Sequence, residues 1–105
     1  MSGFFMIAGT VLTDLGMNEM QLLLRQHGIV SHMQDDELRV EGACRIYFRE
    51  GFDHEFILVG DAREESELRQ ECTRLSAALK SHGIQHAYEL YDKANEPIAD
   101  YEFCP

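Results

Sequence analysis

The sequence predicts an α+β domain, on three observations. Phe4 to Leu12 (FFMIAGTVL) and Glu55 to Val59 (EFILV) are apolar runs of strand length. Two stretches, Met17 to His27 and Arg63 to His82, carry apolar residues at spacings of three and four. Several short segments alternate apolar and polar residues between turn signals. At 105 residues the chain has room for one such domain, here residues 1–105.

Phe4 to Leu12 reads as a strand buried on both faces, because its apolar run is continuous. Met17, Met20, Leu24 and His27 then share one helical stripe, with Leu23 beside it. Asn18 with Gln21 fits a capping box at the start of this helix, and Gly28 fits its stop. Ile29 to Met33 is a short strand, followed by the polar turn Gln34-Asp35-Asp36-Glu37. Leu38 to Val40 and Cys44 to Arg49 alternate in a two-residue period, with Gly42 as a bulge or bend between them. After the turn Gly51-Phe52-Asp53 comes the strand Glu55 to Val59, closed by Gly60-Asp61.

The second helix has the cleaner stripe, in Leu68, Cys72, Leu75, Leu79 and His82. Asp61 and Glu64 suggest its capping box. Glu64, Glu65 and Glu67 favour its positive end, Lys80 and His82 its negative end. Gly83 stops it. Ile84 to Tyr91 returns as a strand, Asp92 to Glu96 turns, and Ile98 to Phe103 is the last strand.

Two segments resemble each other: Leu24-Arg25-Gln26-His27-Gly28-Ile29 and Leu79-Lys80-Ser81-His82-Gly83-Ile84. Each follows an apolar strand ending in glycine, Gly9 or Gly60, and leads into a further strand. The chain therefore reads as two strand–helix–strand units, residues 4–49 and 54–103, each with an added hairpin strand. Common helix-ending chemistry produces the same similarity without duplication. Either origin favours a two-layer sandwich of ferredoxin-like type, with two helices on one face of a mostly antiparallel sheet. Right-handed crossovers place the two long apolar strands side by side in its middle.

Composition narrows the partners. Nine Lys plus Arg against nineteen Asp plus Glu give a formal charge of −10, which argues against a phosphate-neutralising nucleic-acid binder and an anionic membrane surface. The apolar N-terminal run lacks a basic flank and falls short of the ~20 residues of a membrane span. Cys44, Cys72 and Cys104 form no CxxC pair, and three spare thiols suit a reducing cytoplasm. Walker, GxGxxG, GxSxG and HExxH signatures are missing, so binding is favoured over catalysis and no cofactor is expected.

Five histidines offer no metal-ligand spacing. Gly83 breaks the helix between His82 and His86, and His27 and His82 read as caps on the last helical carbonyls. Asp35, Asp36 and Glu37 lack the pattern of a calcium loop. Arg45, Tyr47 and Arg49 share one strand face, with Arg39 nearby. They form a candidate anion or ligand site, unless they pair across strands with Glu41, Glu55 or Glu89.

With only two helices, one sheet face stays open. The expected interface on that face comprises Phe4, Met6, Ile57 and Val59, and a second copy of the chain is its simplest cover. The leading reading is a homodimeric binding module. A second is an inhibitor or immunity-type protein whose acidic face blocks a basic nucleic-acid-handling partner; it requires the acids to cluster on one face, with helix 63–82 and strand 84–91 the first place to look. A third is a small dimeric enzyme with a pocket on the open face.

Overall fold

A computed structural model describes residues 3–105. Its elements are β1 (Phe5–Leu12), α1 (Met17–Gln26), β2 (Ser31–Gln34), β3 (Glu37–Val40), β4 (Arg45–Glu50), β5 (Glu55–Ala62), α2 (Glu65–Ser81), β6 (Gln85–Tyr91) and β7 (Pro97–Phe103). The strands form one seven-stranded sheet in the order β2-β3-β4-β5-β1-β6-β7, and each neighbouring pair is antiparallel. The two apolar strands expected in the middle, β1 and β5, pair there. No helix among the described residues is long and apolar enough to cross a membrane.

Strand alternation divides the side chains cleanly. Ile7 and Val11 of β1, Ile46 and Phe48 of β4, Phe56 and Leu58 of β5, and Tyr88 and Leu90 of β6 are buried on one face. The helices contribute Met20, Leu23 and Leu24 from α1 and Leu68, Cys72, Leu75 and Leu79 from α2 to the same core. The opposite parity, including Met6, Arg45, Tyr47, Val59 and Glu89, leaves the other face without a covering layer.

Both glycines expected to close strands lie inside them: Gly9 pairs with Leu58 and Tyr88, and Gly60 with Ile7 and Ile46. β5 accordingly runs on to Ala62. At Gly9 a β-carbon would overlap the Ala87 carbonyl oxygen and the Cα and Cβ of Tyr88. Tyr88 fills that space, donating its hydroxyl to the Cys72 carbonyl at 2.6 Å and stacking on Tyr101.

The helix starts differ from expectation. Gly16, not Asn18, caps α1, and its N–H donates to Glu19 Oε1 at 3.0 Å. Gln21 instead donates to the Ser31 carbonyl, fixing α1 against β2. Asp61 belongs to β5 and binds Arg45, so Glu64 is the N-cap of α2 and makes no side-chain capping bond.

The helix stops are as read, and the internal similarity falls on them. In each helix the isoleucine N–H donates to the leucine carbonyl, Ile29 to Leu24 at 2.9 Å and Ile84 to Leu79 at 3.0 Å. Gly28 and Gly83 adopt φ of 75° and 67°. This is a Schellman stop, whose first and last residues also make an apolar contact, so the leucine, glycine and isoleucine are set by local chemistry. The strands that follow occupy unequal places, β2 at a sheet edge and β6 beside β1.

Candidate binding face on the open side of the sheet

Register carries one continuous row across the uncovered face. Arg39 of β3 pairs with Tyr47 of β4, Tyr47 with Val59 of β5, Val59 with Ala8 of β1, Ala8 with Glu89 of β6, and Glu89 with Asp100 of β7. The next row runs through Glu37, Arg49, Ile57, Thr10, Ala87 and Glu102. Cations gather at one end, apolar and small residues occupy the centre, and carboxylates occupy the other end.

The cationic end is built around Tyr47. The Arg39 and Arg49 guanidinium carbons lie 5.7 and 5.9 Å from its ring centroid, within cation–π reach. Both arginines also approach Glu37, at 3.4 and 3.6 Å. Arg45 grips Asp61 with two nitrogens, at 2.7 and 3.2 Å, and this hydrogen-bonded pair raises its pKa further. Arg45 and Arg49 thus pair across strands, but with Asp61 and Glu37, while Arg39 meets Glu37 within β3. Glu41 contacts His32, and Glu89 lies three strands away from β4. The nearest acids in space are set by register, which sequence proximity does not reveal. Three guanidiniums meet only two carboxylates here, and Arg39 Nε is buried without a hydrogen-bond partner among the described residues.

At the centre, Ile57 and Val59 are half-buried, and Met6 is 41% exposed. Phe4 lies at the strand's entry, its ring 5.9 Å from the Arg63 guanidinium carbon. Ile57 and Val59 are therefore central to the face, while Phe4 and Met6 border it. The acidic end was not anticipated. Glu89 and Asp100 stand directly opposite one another, a like-charge arrangement that disfavours the sheet locally. Period-two alternation in β6 and β7 was the available signal.

Elsewhere, His27 and His82 meet, Nε2 to Nε2, at 3.0 Å. Their side chains bridge the ends of α1 and α2, where capping of the last carbonyls was expected; backbone N–H groups make those bonds. A cavity of about 440 Å³ opens beside His82, lined also by Thr13, Glu19, Leu22 and Gln26. His86, by contrast, is buried, with Nδ1 2.9 Å from the Ile84 carbonyl and Nε2 2.7 Å from the Ser76 hydroxyl. No group of three or more His, Cys, Asp or Glu converges among the described residues.

The core thiols are chemically distinct from the surface one. Burial pushes Cys44 up from 9.0 to about 11 and Cys72 to about 12, while Cys104 is exposed. A maleimide at pH 7 is therefore expected to label Cys104 alone in the native protein, and all three thiols in urea. Because the fold holds the two core thiols neutral, their contribution is complete below pH 9 and is lost as pH rises toward 11–12. Urea midpoints measured across pH 8–11 should fall on the alkaline side; a flat profile contradicts this.

No family model, curated protein or solved structure matches this chain.

Proposed function

We propose that the protein is a non-enzymatic binding module that works as a homodimer through its open sheet face. The observation that carries this reading is the half-exposed apolar centre, Ile57 and Val59, flanked by Tyr47 and bordered by Met6, set between ends of opposite charge. Leaving such a centre wet forgoes several kcal/mol at about 25 cal/mol per Å². In this reading Arg45, Tyr47 and Arg49 serve the interface rather than a small anion, since Asp61 and Glu37 already engage the arginines.

The finer architecture we infer is ferredoxin-like. The order β4-β5-β1-β6, with α1 between β1 and β4 and α2 between β5 and β6, follows that arrangement. The β2–β3 hairpin and β7 extend it at either edge. Free core thiols fit a reducing, cytoplasmic setting.

The inhibitor reading draws less support. Glu65 and Glu67 sit on α2, whereas Glu89, Asp100 and Glu102 point to the sheet's other side, so the acids do not share one face. Light scattering coupled to size exclusion tests the dimer. A mass twice 12.1 kDa is expected at micromolar concentration; a monomer up to 100-fold higher concentration overturns the reading.

A further inference from the structure

Resting on the homodimer reading, we propose how the copies meet: open face against open face, about a two-fold axis that runs along the strands between β1 and β5. This axis lays the Arg39 end of each copy over the Asp100 end of the other.

Charge selects the axis. A two-fold running across the strands would lay each end over the same end of its partner, and so the carboxylates of β6 and β7 over one another. An axis along the strands exchanges the two ends instead. Distances select its position. At about 4.8 Å per strand, Arg39 on β3 and Asp100 on β7 each lie about 12 Å from the β1–β5 midline, on opposite sides. Tyr47 on β4 and Glu89 on β6 are likewise matched, at about 7 Å.

Rotation about an axis along the strands preserves position along them, so the row Arg39–Tyr47–Val59–Ala8–Glu89–Asp100 falls onto itself in reverse. Arg39 then opposes the partner copy's acid on β7, and Val59 opposes the small Ala8 position. In the adjacent row Ile57 opposes Thr10 in the same way. Large side chains of one β5 thus meet the small positions of the other β1, as a packed sheet–sheet interface requires. In that adjacent row Glu37, already held by Arg39 and Arg49, opposes the Glu102 position, so the charge match rests on the Arg39 row.

Unmet charge at both ends agrees with this pairing. Glu89, Asp100 and Glu102 have no ion pair among the described residues, and Arg39 reaches Glu37 only at 3.4 Å. Extent agrees as well. Six strands from β3 to β7, at ~4.8 Å spacing and ~24 Å length, give roughly 700 Å² per copy. That is close to the roughly 800 Å² per partner of a standard stable interface.

Charge exchange tests the arrangement, with dimer dissociation constants read by analytical ultracentrifugation. Arg39→Glu and Asp100→Arg should each weaken the dimer tenfold or more. Asp100→Arg also relieves the Glu89–Asp100 repulsion within the chain, so its monomer should melt no lower than wild type. The double variant Arg39→Glu/Asp100→Arg should regain most of the affinity, since both opposed pairs are restored with signs reversed. If wild type dimerises but the double variant is no tighter than the single ones, the axis is wrong and the face reading survives. A wild-type chain that stays monomeric assigns the face to a different protein and overturns both.

Discussion

Gly9→Ala is expected to cost about 3 kcal/mol of folding stability or more, the largest loss from any single methyl added to this sheet. The added methyl would occupy the position of the Ala87 carbonyl oxygen and the first side-chain carbon of Tyr88. These are atoms of β6, the strand hydrogen-bonded to β1. A flexible side chain could swing aside, but β6 cannot retreat without opening the β1–β6 ladder and unseating Tyr88 from Tyr101 and the Cys72 carbonyl. Overpacking a close-packed core typically costs about 1–3 kcal/mol, and a backbone clash in a central strand belongs at or above the top of that range. Against a total stability of about 5–15 kcal/mol, this is a large fraction. Urea denaturation followed by circular dichroism should show the midpoint collapsing. An alanine variant with a midpoint near wild type would mean that β6 is not held where the register places it.

The second large effect concerns association. In the proposed homodimer, Val59→Lys is expected to raise the dissociation constant roughly a thousandfold while leaving the monomer folded. Val59 lies at the middle of the open face, between Tyr47 and Ala8. A two-fold dimer contains the change twice. At about 2 kcal/mol for each polar group buried without a partner, the two copies cost about 4 kcal/mol, or three decades in affinity. In the monomer the position is only half-buried, so the lysine stem can lie along Tyr47 with its ammonium in water. Ultracentrifugation should therefore report monomer at concentrations where wild type is dimeric, with a melting temperature close to wild type. A Val59→Lys chain that dimerises as tightly as wild type would place the interface elsewhere.

Much of the fold was legible because the periodicities are strong. The alternation from Cys44 to Arg49, and the leucine stripe from Leu68 to Leu79, each became the element it suggested. The helix stops at Gly28 and Gly83 were readable because their chemistry is local. The helix starts were not, since Asp61 was drawn into β5 by Arg45 and Gly16 relied on Glu19. Gly9 and Gly60 were misplaced for the same reason. What they accommodate is a neighbouring strand, which linear sequence does not display.

The candidate face shows the same division. Arg45, Tyr47 and Arg49 share a side, as alternation demands, yet their carboxylate partners come from register. The acids opposite one another on β6 and β7 emerge only once those strands are paired. The meeting of His27 with His82 needed both helix ends to be brought together by the sheet.

The sheet order also sets how long a strand waits for its partners during synthesis. β1 precedes both of its neighbours, β5 and β6, in the chain. At about 5–20 residues per second, several seconds separate synthesis of β1 from that of either partner. Through that interval the segment FMIAGTVL has no native edge to join. A strand destined for the centre of the molecule thus spends that interval as exposed apolar chain, the kind of surface that aggregates before its partners arrive.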